Sequence, residues 1–269
     1  MMEQALRRRL LLLGTLAASA LAIRPARADQ LADVMQSKKL RVATDLAIPP
    51  SGMMDGQMRA TGSDVEVAQL LAKDWGLELE FIQTTGATRI PNVQTGKADI
   101  IISTLSVTPE RAKVVQFSKP YAALQSVVAG PKGVTLSGLE ALKGRTVTVT
   151  RGTTQDSELT GLSRQHDFRV VRYDDDATMV TAATSGQAEL IATSATLVSQ
   201  VKLRDPARGF EPKFTLRNFD LAMGLRQNEP ALLDKVNAWI DANIANGKLN
   251  AIYKKFHGVD LPEVMRGTS

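Results

Sequence analysis

Past its first thirty residues the chain switches repeatedly between two hydrophobic periods. KLRVATD (Lys39–Asp45) reads as a buried strand. DVEVAQLLAKDWG (Asp64–Gly76) places Val67, Leu70, Leu71 and Trp75 at helical spacing, with Gly76 as the stop. LELEFI (Leu77–Ile82) alternates as a strand does, IPNVQTG suggests a short helix, and ADIIIS (Ala98–Ser103) another strand. A second unit starts near Gly130-Pro131-Lys132-Gly133. It comprises a short helix over Leu136–Gly144, the strand RTVTVT (Arg145–Thr150), a helix opened by GTTQDSELTGL, the strand FRVVRYD, the helix ATMVTAATSGQ and the strand AELIATS (Ala188–Ser194). Strand–helix–strand units thus occur in two halves of comparable size, which predicts an α/β fold with largely parallel sheet in each. The stretch Glu229–Gly258 is helical throughout, broken at Gly247, and is expected to pack back on one half. Two such halves with a cleft between them form a ligand trap.

The amino terminus has a different pattern. Arg7, Arg8 and Arg9 precede a short apolar run, Leu10 to Ile23, and the small-x-small triplet Ala26-Arg27-Ala28 follows. This is the layout of an export signal cleaved near Ala28; the apolar run falls short of the about 20 residues a bilayer span needs. The triple arginine fits a twin-arginine route and an ordinary positive leader equally. The alternative reading of this segment is a membrane anchor. Loss of residues 1–28 removes five arginines and one glutamate, so a formal charge of +5 becomes +5 − 4 = +1. With no basic excess and 4% aromatic residues, a nucleic-acid surface has no support. The chain has no cysteine, which excludes disulfides, thiolate chemistry and a lipidated leader cysteine; two histidines, His166 and His257, leave little for a metal site. No cofactor is expected.

Within this frame three stretches carry chemistry. ISTLSVTPERAKVVQFSKPY (Ile102–Tyr121) places Ser103, Thr104, Ser106 and Thr108 just before Arg111, in a loop after a strand. Ligands of open α/β sheets sit beyond the carboxyl ends of strands, and a guanidinium matches a carboxylate with two parallel hydrogen bonds. The same residues also make a helix start, with Thr108 as cap and Pro109 in the first turn; both roles can hold together. TRGTTQD (Thr150–Asp156) follows a strand and opens a helix, so Gly152, Thr153 and Thr154 offer backbone and hydroxyl donors at a positive helix end, or simply a cap. It lacks the phosphate-loop pattern. Arg89, before Ile90-Pro91, either points into the cleft or is a surface arginine.

Taken together, these segments are similar to the periplasmic amino-acid-binding proteins of ABC importers (bacterial solute-binding protein family 3), over nearly the whole mature chain. The resemblance is carried by GSDVEVAQLLA (Gly62–Ala72), TGKADIIISTLSVTPERAKVVQFSKPY, GTTQ (Gly152–Gln155) and GKLNAIYKKFHG. It implies a periplasmic monomer without enzymatic activity, with lobe 1 at about 29–129 plus 220–269 and lobe 2 at about 130–219. A cleft between the lobes would close on one small solute and hand it to an inner-membrane ABC permease. It implies that Arg111 clamps the ligand α-carboxylate, with Thr104, Ser106 and Thr154 adding hydrogen bonds; Ser103, Thr153 and Ser194 are further candidate ligand contacts. TRIP (Thr88–Pro91) resembles the members that take acidic amino acids, which would give Arg89 a second carboxylate. The sequence departs from the family at three places. Ser194 stands where an aspartate usually pairs with the ligand ammonium; Ile48 and Ser51 replace aromatics; Ser63 is unusually small. Two cations without an evident ammonium partner point to a small acidic ligand, amine-free acids included, unless Asp45 or the run Asp174–Asp176 supplies the missing carboxylate. The other class the family admits is a dehydratase of prephenate-like acids, for which the sequence shows no obvious general acid. A receptor sensor module would need a transmembrane helix beyond the leader.

Overall fold

The computed structural model describes residues 29–266, so the leader read over residues 1–28 lies outside the described residues. In chain order the first half holds α1 (Gln30–Ser37), β1 (Lys39–Thr44), the short ribbon β2 (Met53–Met54) and β3 (Ala60–Thr61), α2 (Ser63–Trp75), β4 (Glu78–Gln83), α3 (Arg89–Gln94), β5 (Ile100–Ile101) and α4 (Pro109–Ala112). The long strand β6 (Gln116–Gly130) leads into β7 (Thr146–Thr150), α5 (Thr154–Leu162), β8 (Arg169–Tyr173), α6 (Asp176–Ser185), β9 (Leu190–Ser194) and α7 (Ala195–Arg204). The equally long β10 (Glu211–Leu225) returns to α8 (Pro230–Ala245), α9 (Lys248–His257) and α10 (Glu263–Arg266). Among the described residues no helix is long and apolar enough to cross a membrane.

The strands form one curled mixed sheet in the order β4-β1-β5-β10-β6-β9-β7-β8. At one end β4, β1 and β5 run parallel, and at the other β9, β7 and β8 do. Between them β6 and β10 pair antiparallel from Glu211↔Gly130 to Leu225↔Gln116. The separate parallel sheets expected from the sequence are therefore joined through a two-strand ribbon. Neither ribbon strand announces itself in the sequence, because Pro120 and Pro212 interrupt them and four register shifts break their alternation. The strand expected over Ala98–Ser103 shrinks to Ile100–Ile101, since the chain turns there to place a loop.

Apolar side chains gather on both sides of this ribbon. Leu40, Val42, Leu71, Ile100, Leu232, Val236 and Trp239 belong to the core around β1, α2 and α8. Val147, Val149, Leu159, Leu142 and Leu190 belong to one at the far end, and Met179, Ile191, Val201 and Phe210 to another beside it. α2 is amphipathic as read: Val65, Val67, Ala68, Leu71 and Ala72 are buried, and Gly76 closes the helix at φ 65°, its N–H bonded to Ala72 and Lys73 carbonyls. The C-terminal hairpin breaks at Asn246-Gly247, and α8 packs on β6, α1 and α9. This is the α/β architecture of periplasmic binding proteins.

Candidate functional site

All six parallel strands point their carboxyl ends at the same small space. Asp45 follows β1, Gly86 and Arg89 follow β4, and Thr104 and Ser106 follow β5. From the other end of the sheet, Thr153 and Thr154 follow β7, Asp176 follows β8 and Ser194 closes β9. These residues line a small cavity of about 50 Å³, completed by Ile48, Ser51, Leu124, Thr193 and Leu197. Beside it, and sharing Thr154, lies a more open cleft of about 520 Å³ that includes Arg111, Gly152, Glu158 and Phe219.

Of the candidate residues, Arg89, Thr104, Ser106, Thr153, Thr154 and Ser194 line the cavity; Ser103 and Arg111 do not. Ser103 is fully buried, and its hydroxyl accepts a hydrogen bond from the Asp45 N–H at 3.0 Å, so its side chain pins β1 to the loop after β5. Arg111 stands at the rim. Its guanidinium donates to the carbonyl of Ser106 at 3.0 Å and to that of Gly152 at 3.1 Å, tying the two ends of the sheet together. Thr108 caps α4 as read, accepting from the Arg111 N–H at 3.2 Å. Thr153 caps α5 through the Asp156 N–H, and Ser194 caps α7 through the Leu197 N–H.

The electrostatics of the cavity centre on Arg89, 5% exposed. It donates to the Ser103 carbonyl at 2.6 Å, while its buried Nε has no hydrogen-bond partner and no carboxylate of the described residues ion-pairs with it. Burial lowers its pKa against the opposing pull of Asp45, Asp176 and Asp64. Arg111 is lowered to about 9 by burial and by Arg89, so it stays cationic at neutral pH. The acids were legible only as alternatives. Asp176 is 6% exposed and burial raises it to about 7, against a 2.8 Å hydrogen bond from the Thr150 hydroxyl. Asp45 is 3% exposed and also raised by burial. Behind the wall, Asp64 accepts from the Tyr121 hydroxyl and the Thr104 N–H, both at 2.7 Å, and burial raises it to about 6. A cation and two carboxyls raised by burial, in one hydroxyl-lined space, can receive a small molecule bearing both signs of charge. Among the described residues no cluster of three or more metal-ligating side chains occurs.

Comparison with known proteins agrees with this geometry. The model of bacterial extracellular solute-binding proteins, family 3, matches residues 40–259. A probable histidine-binding protein of Neisseria gonorrhoeae is 25% identical over 224 residues, covering 81% of this chain and 83% of its own. The crystal structure of a solute receptor for L-cysteine, also of Neisseria gonorrhoeae, superposes with a TM-score of 0.79 at 29% identity, covering 84% of this chain and 92% of that one. An ancestral amino acid-binding protein, a precursor of cyclohexadienyl dehydratase, gives 0.76 at 29% identity over 84% and 98%. With four-fifths of its length matched by the family model, and a fold shared with solved receptors, the chain belongs to the bacterial extracellular solute-binding proteins of family 3.

Proposed function

We propose that this protein is an extracytoplasmic receptor that closes on one small amino acid or related carboxylate and delivers it to an ABC permease. The lobes would divide within β6 and β10, near residues 129 and 220, with the ribbon as hinge. The observation that carries the reading is Arg89, a buried guanidinium in the cavity wall that makes no ion pair with a carboxylate among the described residues. Burying such a charge unpaired is costly, and a ligand carboxylate is the natural complement. Arg111 at the rim supplies a second cation once it exchanges its carbonyl partners. Two cations favour a ligand with an acidic side chain. Thr104, Ser106, Thr153, Thr154 and Ser194 offer hydroxyls, and Ile48 and Ser51 leave no aromatic clamp, so a short, polar side chain fits better than a planar ring.

Thermal unfolding of the mature protein tests this. A ligand at 100 times its dissociation constant stabilises by about 2.7 kcal/mol, roughly 5–10 °C for a chain of this size. The panel holds aspartate, glutamate, glutamine, cysteine, histidine and arginine beside succinate, malate and glutarate. Acidic members should give the largest shift, and Arg89→Met should remove it without changing the circular dichroism. A panel in which nothing shifts refutes the reading.

A second reading, a dehydratase of prephenate-like acids, has one observation in its favour: Asp176 is a buried acid titrating near neutrality, as general acid catalysis requires. The relatives described above bear the names of binding proteins, and the expected result of incubating such acids with the protein, followed by NMR, is no turnover.

A further inference from the structure

Resting on the reading that the cavity is the solute site, a control on its shape follows from a carboxylate that does not line it. Asp64 lies in the first turn of α2, 2% exposed, behind the cavity wall. Two cavity loops hang on this one residue. Its backbone N–H donates to the carbonyl of Ser51, a lining residue, at 2.9 Å, beside the Ser63 N–H on the Pro50 carbonyl at 3.2 Å. The helix start packs tightly on that loop, since a Cβ on Gly62 would stand 2.3 Å from the Ser51 carbonyl oxygen. The Asp64 carboxylate holds the other loop. Its Oδ2 accepts from the Thr104 N–H at 2.7 Å, and its Oδ1 accepts from the Tyr121 hydroxyl of β6 at 2.7 Å. Thr104, which lines the cavity, is the strained member of this set: its φ is 43°, in the left-handed region that β-branched residues seldom enter. Such a conformation persists only where its surroundings over-determine it. The bond to Asp64 is the short one; the Thr104 carbonyl has only a 3.5 Å contact from Arg89.

Both groups aimed at Asp64 are donors, a demand that an acceptor-only carboxylate meets and a carboxylic acid does not. A proton on Oδ2 would face the Thr104 N–H. A proton on Oδ1 would take the phenol oxygen as its acceptor and leave the Tyr121 hydrogen without one. Either way the bond to Thr104 loses its charge assistance. We propose that Asp64 is a positioning residue for the solute site: as a carboxylate it holds Thr104 in the left-handed conformation that shapes the cavity wall, and its protonation releases that loop and weakens binding. The groups that face it are Tyr121 from β6, Arg89 from α3 and Asp45 from the end of β1. From α9, His257 and Lys255 engage Ser63 and Glu66 instead. Asp64 makes no ion pair among the described residues, and burial raises it to about 6. Affinity should therefore be full above about pH 7 and fall as pH drops through 6. Asp45 and Asp176 titrate beside the cavity as well, so the diagnostic part is the loss that disappears with Asp64→Asn.

The experiment is titration calorimetry of the mature chain with the compounds of the thermal panel at pH 8, 7, 6 and 5. It is done for the wild type, Asp64→Asn, Thr104→Gly and the double variant. Asp64→Asn keeps shape but turns one acceptor into a donor, so at pH 8 it should weaken binding about 10- to 100-fold, by similar factors for ligands of different charge. From pH 8 to 5 the wild type should lose at least about fivefold more affinity than Asp64→Asn. Glycine takes a positive φ without steric cost, so Asp64→Asn should weaken binding less than about threefold in the Thr104→Gly background. As a readout free of ligand, the Thr104 amide proton in proton–nitrogen correlation spectra should titrate with a midpoint near pH 6 in the wild type and not in Asp64→Asn. Unchanged affinity of Asp64→Asn, or a pH profile parallel to that of the wild type, overturns the proposal. So does an undiminished effect in the glycine background, which would make Asp64 a packing residue. If ligands bind and the Thr104 amide does not titrate, the receptor reading stands and this one falls; if no compound binds, both fall.

Discussion

The two ends of the sheet meet backbone to backbone at a pair of glycines, which makes closure testable by a single methyl group. A Cβ on Gly86 would stand 2.7 Å from the carbonyl oxygen of Arg151 and 3.3 Å from Cγ2 of Thr153. Gly86 follows β4 and Arg151 follows β7, so the clash lies between the two halves that the proposed closure brings together. Gly86 does not have a positive φ, unlike its counterpart Gly152 at 76°, so alanine there adds no intrinsic backbone strain. An ordinary contact needs more than 3.4 Å, so the backbones must part by over half an ångström to admit the methyl. Overpacking of this kind costs about 1–3 kcal/mol, and here the cost falls on the closed state alone. Ligand binding draws on that state, so Gly86→Ala should raise the dissociation constant about 5- to 150-fold. Calorimetry with the best ligand reads the affinity, and small-angle scattering reads the shape. The variant should keep the wild type's ligand-free circular dichroism and scatter as the more open particle when ligand is added. Unchanged affinity together with an unchanged ligand-bound radius of gyration would refute the idea that the lobes close on this contact.

Three further outcomes follow. Asp64 and Asp176 have folded pKa values of about 6 and about 7, above the roughly 3.9 of an unfolded aspartate. The folded state therefore holds more protons between about pH 4 and 7, and these two groups make the ligand-free protein less stable as pH rises through that window. The groups facing Asp176 (Asp45, Asp175, Arg89 and the Thr150 hydroxyl) stay in place in Asp176→Asn, whose melting temperature should vary less over pH 5–8; parallel curves would contradict this. Asp99→Ala should cost about 3 kcal/mol in urea unfolding, because it strips the Arg41 guanidinium of contacts at 2.6 and 3.1 Å and the Arg41 N–H of one at 2.8 Å. Thr153→Ala removes the cap of α5 and should cost about 1 kcal/mol by the same measurement, less than half the Asp99 effect.

The α/β units were legible because their helices and strands each bury one face. DVEVAQLLAKDWG could be read as a helix from spacing alone, and its stop at Gly76 is the left-handed cap the structure shows. The ribbon of β6 and β10 was not legible, since its pairing partner lies some ninety residues away and its register slips where the sheet curls. At the site, the hydroxyls of Thr104 and Ser106 could be read from their place after a strand, which is where α/β sheets put ligands. Arg111 drew attention as the lone cation beyond those hydroxyls, yet in this closed geometry its guanidinium spans two carbonyls at the rim. Ser103 looked like its neighbours, and what distinguishes it is that its hydroxyl accepts from the Asp45 N–H and does not reach the cavity. Asp45 and Asp176 carried little sequence signal. Each sits beside ordinary loop residues, Asp176 in a run of three acids, and nothing in one dimension says which of the three turns inward.

That choice among Asp174, Asp175 and Asp176 has a physical basis in how α6 begins. Asp175 caps the helix, its carboxylate accepting the Thr178 N–H at 2.7 Å, which holds it at the surface end of the turn. Asp174 reaches outward to Arg151 at 3.0 Å. The next side chain, the first inside the helix, is left to face the strand ends, where the Thr150 hydroxyl at the end of β7 receives it. A carboxylate at a helix N-terminus is ordinarily stabilised in its charged form by the aligned peptide dipoles. Asp176 is nonetheless raised to about 7, so burial outweighs the helix start. The carboxyl is thus kept partly neutral in a place that would otherwise favour its charge. Ser194, at the end of β9, the next element, also lines the cavity, and its hydroxyl caps α7. The acid that lines the cavity from this half of the sheet therefore sits at a helix start, while Ser194 lines the same cavity from the neighbouring strand terminus.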